Sequence, residues 1–358
     1  MDNLHCDANL EPMYYLRSDT KEPDLPRKLY VEPTSLCNLN CSICFRRGWI
    51  DETVGHMDLK VFDKLACEIS SLPSVEEIFF GGMGEPLFHP DIVHMLRALP
   101  NDRKKTLLTN GTLLSAERSS QLIEAGLSEL WVSMDGFRKD VYENIQLGSQ
   151  FDLIQKNLQD FNLLRAGTKT RLGLTFVVTP ENMDQLDEIN TFADRFAADE
   201  LNISHMIPAG PVPKERTLYL RDDISVGKMQ RYAPLQDPQD KQEEYVCPFI
   251  SKNASFVRWD GEVIPCMQLL HSCYTWLFEE KRRITSFSYG SIRDRAFMDC
   301  WNDPSYVQFR ERVRVFYFPF CTVCWGCEDR KENLTDCAFG KAPTCGACLW
   351  ATGKIFCP

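Results

Sequence analysis

The sequence predicts an α/β fold of repeated strand–helix units around a parallel sheet, followed by a smaller cysteine-rich region that binds metal. Three observations carry this expectation. Residues 28–206 repeat one unit: a short β-branched or apolar run, a loop, then an amphipathic helical stretch. The repeat stops after residue 208. The chain's sixteen cysteines bunch towards its two ends, with none between Cys67 and Cys247.

Each unit has its own justification. The strand-like runs are KLYVEPTSL (28–36), EEIFFGG (76–82), KTLLTNG (105–111), ELWVSMDG (129–136), RLGLTFVVT (171–179) and LNISHMIP (201–208). Helical patterns fall between them at 59–71, 90–99, 115–125, 151–165 and 183–197. In the last of these, Leu186, Ile189, Phe192, Ala193 and Phe196 share one apolar face. Six units are too few for a closed eight-stranded barrel, so a partial six-unit barrel and an open doubly wound sheet both fit. Beyond them, PAGPVPKE (208–215) and YAPLQDPQDKQEE (232–244) are rich in proline and charge and read as connectors. The expected organisation is an N-terminal extension at 1–26, a core at 27–215, a linker at 216–245 and a cysteine-rich domain at 246–358.

Composition narrows the function. The 358 residues are 44% hydrophobic and 25% charged, as in ordinary globular proteins, and the net charge of −11 opposes binding to nucleic-acid phosphates. No apolar run approaches the roughly 18 residues of a membrane span, and the start MDNLHCDANLEP is too polar for a secretory signal. A cytoplasmic protein with neither membrane nor nucleic-acid partner is expected. In a reducing compartment, sixteen cysteines indicate metal or cluster ligation rather than disulfides.

The segment VEPTSLCNLNCSICFRRGW sets Cys37, Cys41 and Cys44 in the pattern C-x3-C-x2-C just after the first strand. Loops at the carboxyl ends of parallel strands are where ligands bind in βα architectures. Three thiolates on such a loop can hold three irons of a cubane and leave the fourth open. Alternatively they form a zinc site completed by a distant histidine or cysteine. The next strands end in FFGGMGEP (79–86), LLTNGT (107–112) and WVSMDG (131–136).

Residues 37–44 together with 81–86 resemble the radical S-adenosylmethionine (radical SAM) superfamily, and the resemblance covers residues 28–208. It implies a partial (β/α)6 TIM-like barrel and an oxidoreductase-type radical enzyme whose cofactors are a [4Fe–4S] cluster and S-adenosylmethionine. The amino and carboxylate groups of S-adenosylmethionine would chelate the open iron. Gly81, Gly82 and Gly84 would let backbone approach its methionine moiety, and Glu85 would sit near the ammonium or order the loop. Thr109, Asn110, Ser133 and Asp135 become candidates for contacts to ribose or carboxylate, or else simply shape the strand ends. Ile43 and Ile207 would line an adenine pocket or belong to the core. Such chemistry needs a low-potential electron donor of the ferredoxin or flavodoxin type.

Near the other end, Cys247, Gly261 and Cys266 form C-x13-G-x4-C, and FVRWDGEVIPC (256–266) reads as a hairpin turning at Asp260-Gly261. This resembles the SPASM extension of radical SAM maturases, which implies two auxiliary [4Fe–4S] clusters. The remaining cysteines depart from the usual spacing. Cys321, Cys324, Cys327, Cys337, Cys345, Cys348 and Cys357 bring the candidates to nine for eight ligand positions. Zinc ribbons are the plainer reading of C-x2-C pairs. Cys6, Cys67, Cys273 and Cys300 stand alone, and His56, His89, His94, His205 and His271 show no ligand spacing. Arg282-Arg283 reads as a solvated pair; Arg46-Arg47 does too, unless it meets a substrate carboxylate.

LYVEPTSLCNLNC with CFRRGW, GGMGEPLFHP and the terminus TDCAFGKAPTCGACLWATGKIFCP resemble radical SAM/SPASM proteins associated with tungsten-containing aldehyde ferredoxin oxidoreductases. The resemblance implies a protein, peptide or cofactor substrate: a pterin-type tungsten cofactor, its precursor, or a side chain of the partner enzyme. A maturase forming thioether or carbon–carbon links in ribosomal peptides is the alternative, although the 26 residues ahead of the barrel are short for a leader-binding domain. A sulfatase-type maturase fits the terminal array less well. A zinc-ribbon scaffold would leave GGMGEP unexplained.

Overall fold

The computed structural model describes residues 24–208, 210–211, 218, 227–230, 247–277, 279–322, 324, 327–337, 342–352 and 355. Six parallel strands follow one another in chain order: β1 (Lys28–Val31), β2 (Glu77–Phe80), β3 (Lys104–Thr109), β4 (Glu129–Ser133), β5 (Arg171–Val178) and β6 (Glu200–His205). Each coincides with one of the six runs read from the sequence. The helices α1 (Leu59–Ser70), α2 (Ile92–Ala98), α3 (Ala116–Glu124), α4 (Lys139–Ile145), α5 (Phe151–Arg165) and α6 (Ile189–Arg195) lie between them. Asp58 and Ser115 cap α1 and α3 by accepting from the backbone N–H groups of Lys60 and Arg118. The segment expected as one helix at 183–197 starts as a 3-10 turn at Met183–Glu188 before α6.

This is the partial (β/α)6 barrel. Opposite charges pair on neighbouring strands where the strands begin: Lys28 with Glu77 at 3.2 Å, Lys104 with Glu129 at 2.8 Å and Arg171 with Glu200 at 2.9 Å. One layer on, Trp131 of β4 fills the space beside Gly173 of β5, where a Cβ would lie 2.4 Å from the indole. Charge and bulk thus occupy the early part of the strands, and the carboxyl ends are left for the loops that carry chemistry.

Two strands differ from expectation. Within the stretch read as a linker, β7 (Gly227–Gln230) pairs antiparallel with β6. The cysteine-rich region contributes β8 (Ala254–Val257) parallel to β1, with β9 (Val263–Ile264) turning back along it as the predicted hairpin. The physical reason is that β1 would otherwise be an open edge. Tyr30 of β1 stacks on Phe256 of β8 with ring centroids 4.5 Å apart, and Phe79 and Phe249 close the cluster. The short α7 (Pro248–Ser251) carries Phe249 into that cluster.

Beyond the sheet lie a separate hairpin, β10 (Cys273–Leu277) with β11 (Glu280–Ile284), and two helices, α8 (Phe297–Trp301) and α9 (Pro304–Arg314). Buried Arg310 of α9 stacks on Trp301 and Tyr306 and pairs with Asp24 at 2.8 Å, tying the segment before β1 to the extension. Residues 1–23, most of 216–245, and Cys357 lie outside the described residues. Among the described residues no helix is long and apolar enough to cross a membrane.

Because Phe256 joins the two parts of the sheet, Phe256→Ala is expected to destabilise the protein by about 3–5 kcal/mol. Anaerobic denaturant unfolding measures this. A loss under about 1 kcal/mol would mean that β8 is not part of the folded core.

Candidate active site

The cysteine loop leaves the carboxyl end of β1 and is anchored to the end of α4. Asn40 N–H donates to the Leu147 carbonyl at 3.0 Å, and Ser42 N–H to the Ile145 carbonyl at 2.8 Å. Cys37, Cys41 and Cys44 are free thiols of intermediate exposure. Burial, then the neighbouring Cys44, Asp135 and Cys37, push the Cys41 thiol up to about 12. Burial also raises Cys37 and Cys44, while nearby Arg46 acts in the opposite direction on both. Cys37 Sγ receives the Leu39 N–H at 3.4 Å and the Asn110 side-chain amide at 3.8 Å. Thiols this close resist ionising together unless a cation lies among them, which suits them to a metal cluster. Among the described residues no three His, Cys, Asp or Glu side chains are drawn together tightly enough for a single ion.

The GGMGEP loop packs directly onto the backbone that leads into Cys37. A Cβ on Gly84 would lie 2.1 Å from the Thr34 carbonyl oxygen and 2.7 Å from that of Leu36. One on Gly82 would meet the Glu32 side chain at 2.6 Å, and one on Gly81 the Phe79 ring at 2.5 Å. The glycines are therefore already required by protein-to-protein contact, besides the ligand space expected of them.

Glu85 is buried and wholly engaged within the protein. It accepts from the Thr109 hydroxyl at 2.6 Å, the Asn110 N–H at 2.7 Å and the Leu87 N–H at 2.9 Å. Burial lifts its pKa to about 7 against those hydrogen bonds. Of its two expected roles it performs the ordering one, clamping the end of β2 to the end of β3. Thr109 also accepts from Gly111 N–H, so its hydroxyl faces inward. Asn110 instead reaches Asn38 at 3.1 Å as well as Cys37, which places it on the cysteine loop.

Asp135 makes the equivalent clamp between β4 and β5. It accepts from Val177 N–H and from Gln146, each at 2.9 Å, and burial raises it to about 6. Ser133 lies in register with Thr175 and Asn202 on the two following strands, and receives the Thr175 hydroxyl at 3.4 Å. The buried side-chain amide carbonyl of Asn202 (Oδ1) has no hydrogen-bond partner among the described residues, which leaves an acceptor in this polar row. Thr175 and Asn202 were not singled out from the sequence; their signal was a polar side chain at alternate positions of apolar strands. Ile43 is half-buried beside the loop, whereas Ile207 belongs to the hydrophobic core. A surface cleft of about 390 Å³ lined by Asp91, His94, Arg97 and Arg118 lies on the outer helical layer, apart from these groups.

His271 is a third residue to which the sequence reading gave no role. It is buried between two carboxylates, Glu32 and Glu52, each 2.9 Å from one ring nitrogen. Trp49 stacks on its ring at 4.5 Å, and Glu32 also receives the Met83 N–H of the glycine loop at 3.0 Å. Burial opposes its charge, but the two carboxylates prevail and raise it to about 9. The imidazolium thus clasps the extension to the mouth of the barrel; Arg258, paired with Asp260 at 2.7 Å, adds a more distant positive charge to the same two acids.

The thiols of the extension fall into two sets. Burial raises Cys266 well above its ordinary value, with Cys247 and Cys348 adding to it; Cys345 is raised the same way, with Cys348, Cys266 and Cys247 as neighbours. Burial, then Cys337, Cys324 and Cys327, push Cys321 up to about 11. The sets are Cys247, Cys266, Cys345 and Cys348, and Cys321, Cys324, Cys327 and Cys337. Cys273 and Cys300 are buried singly, and Cys67 is exposed.

A three-thiol loop at the mouth of a six-stranded parallel barrel, with two further thiol sets in an extension, defines a class of iron–sulfur radical enzyme. The chain belongs to the radical SAM superfamily: residues 31–193 match that family, and residues 247–328 match SPASM, an iron–sulfur cluster-binding domain. Its cofactors are [4Fe–4S] clusters and S-adenosylmethionine. It is 31% identical over 348 residues to the tungsten-containing aldehyde ferredoxin oxidoreductase cofactor-modifying protein of Pyrococcus furiosus, covering 92% of this chain and 96% of that one. The Fe-coproporphyrin III synthase of Methanosarcina barkeri is 24% identical, with coverage of 85% and 83%. The fold is shared with anSMEcpe with bound AdoMet (TM-score 0.58, 16% identity, 92% and 95% covered). It is shared too with Streptococcus suis SuiB bound to its precursor peptide (TM-score 0.59, 18% identity, 80% and 67% covered).

The His271 clasp sets a pH dependence. Its folded pKa of about 9 exceeds the ordinary 6.5, so its stabilisation is complete below pH 6.5 and is lost as pH rises through 9. Glu52 is shifted down despite burial, through His271 and Ser272, so its share is present at neutral pH and lost in acid. Raising the pH from 7 to 10 should cost the wild type roughly 3 kcal/mol at most from His271, and His271→Gln should lack that component. Denaturant unfolding of both proteins across this range measures it; parallel curves would refute the clasp.

Proposed function

We propose that this radical SAM enzyme is a maturase that modifies the cofactor of a tungsten-containing aldehyde oxidoreductase, acting on a pterin-type cofactor or its precursor. The observation that carries the reading is end-to-end similarity, at 31% identity, to a protein named for modifying that cofactor. Cys37, Cys41 and Cys44 hold the cluster that binds S-adenosylmethionine. When bound, that cluster would supply the electron that breaks the sulfonium's C–S bond, giving methionine and a 5′-deoxyadenosyl radical able to take a hydrogen atom from substrate. A reduced ferredoxin or flavodoxin supplies the electron, and the enzyme works in the cytoplasm.

The chain's own residues position this chemistry. Asn110 donates an N–H to the Cys37 sulfur, and hydrogen bonds to cluster sulfurs help set reduction potential. Glu85 and Asp135 hold the strand ends that surround the cysteine loop, and Ser133, Thr175 and the free Asn202 carbonyl offer polar contacts to the nucleoside. In the extension, Cys247, Cys266, Cys345 and Cys348 ligate one auxiliary cluster, and Cys321, Cys324, Cys327 and Cys337 the other. Cys357, the ninth candidate, lies outside the described residues and is assigned to neither set.

Iron and sulfide analysis after anaerobic reconstitution tests the cluster assignments. About twelve irons per chain are expected, at four per cubane. Cys337→Ala should lose about four of them. Cys41→Ala should abolish formation of 5′-deoxyadenosine; full production by that variant would end the proposal. The substrate is tested by incubating the enzyme, S-adenosylmethionine and a reductant with tungsten pterin cofactor. A mass change in the cofactor supports the reading, and its absence alongside turnover on a peptide would replace it.

A further inference from the structure

Arg282 was expected to be solvated, as half of a basic pair. In the structure it is 6% exposed, on the inner side of β11, while its register partner Thr275 is buried as well. Its hydrogen bonds go to neutral acceptors: Nε donates to the Arg330 carbonyl at 2.5 Å and Nη1 to the Ala347 carbonyl at 3.2 Å. Among the described residues no carboxylate pairs with it. The adjacent Arg330 takes Glu280, at 2.6 Å from Nε, so that acid is already committed. A buried guanidinium with only carbonyl partners is costly unless anionic charge lies close by.

The place where Arg282 ends supplies that charge. Ala347 lies in the turn between Cys345 and Cys348, which belong to one thiol set. Cys321, of the other set, packs against the same turn: its N–H donates to the Gly346 carbonyl at 3.0 Å, and its sulfur would lie 3.0 Å from a Cβ on Gly346. The thiols of Cys348 and Cys321 are the two strongest influences favouring the charge of Arg282, against burial, which lowers its pKa overall. The guanidinium is thus seated where the two sets meet.

We propose that Arg282 is the shared counter-cation of the two auxiliary clusters, a positioning residue whose charge holds both at a higher reduction potential. The inference rests on the assignment of the two thiol sets as cluster sites. Cysteine-ligated cubanes are anionic and become more so on reduction, so a fixed cation in a low-dielectric interior favours the reduced form. Placed between the two, it couples them: reduction of one cluster draws on the same charge that stabilises the other.

The test compares wild type, Arg282→Lys and Arg282→Gln by redox titration followed with electron paramagnetic resonance, alongside iron content. Arg282→Gln should lower both auxiliary potentials, shifting the reduced-to-oxidised ratio at fixed potential at least tenfold, about 59 mV for a one-electron couple. The cluster on Cys37, Cys41 and Cys44 should be unmoved, and Arg282→Lys should stay near wild type. Full iron in Arg282→Gln with unchanged potentials would overturn the proposal. Equal shifts in both variants would overturn it too, by showing that packing rather than charge matters. If Arg282→Gln fails to load iron, Arg282→Lys decides: it must load both clusters at near wild-type potentials, and failure there also overturns the proposal. Wild type that loads only about four irons per chain would instead defeat the cluster assignment itself.

Discussion

Thiolates crowded into a protein interior repel one another, and this repulsion is the constraint on which the rest of the structure turns. Cys41 on the first loop, and Cys266 and Cys321 in the two sets of the extension, are thiols whose pKa burial and neighbouring thiols raise, so that ionisation is opposed until a cation lies among them. Metal binding therefore contributes directly to folding at each place, as in small domains where ligation substitutes for apolar area. The scaffold must bring the thiols together beforehand. It does so by committing the groups around them: Glu85 and Asp135 are saturated with internal hydrogen bonds, and the glycine loop is pressed against the backbone entering Cys37.

The core was legible in the sequence because its signals are local. An alternation of apolar runs and amphipathic stretches needs no distant partner to be recognised, and all six strands fell where that alternation put them. What escaped depended on tertiary context. The strand β8 looks like half of a hairpin, and nothing within FVRW says that its other edge pairs with β1. The helix α9 had a readable start, with Asp303 as cap and Pro304 at its first turn, and Tyr306, Phe309 and Val313 on its buried face. There the cysteines that flank it drew the reading towards irregular, metal-held chain. The short α4, seven residues with Val141, Tyr142 and Ile145 inward, carries too little periodicity to declare itself.

The site divides the same way. Cysteine spacing indicates metal ligation by itself, and the GGMGEP strand end beside it decides between a zinc site and a cluster. The glycines were identifiable, but the reason for them was not, because the carbonyls of Thr34 and Leu36 that crowd Gly84 lie almost fifty residues earlier in the chain. His271 and Arg282 are the extreme cases. A histidine acquires meaning here only from Glu32 and Glu52, more than two hundred residues away, and an arginine beside another arginine gives no sign that one of them is buried.

These long-range groups also explain why the extension and the barrel form one working unit. The extension supplies the strand that covers β1, and His271 reaches the two acids at the barrel mouth. Trp350, two residues past Cys348, lies 6.2 Å from Phe45, the residue after Cys44. The last two of these contacts involve residues two positions or fewer from a thiol: His271 from Cys273, Trp350 from Cys348 and Phe45 from Cys44. An extension attached by surface contacts alone would be free to shift against the cysteine loop, and the separation of its thiol sets from that loop would vary with it. Here the same side chains that stabilise the junction fix that separation, so the placement of the metal-binding groups follows from the packing of the fold.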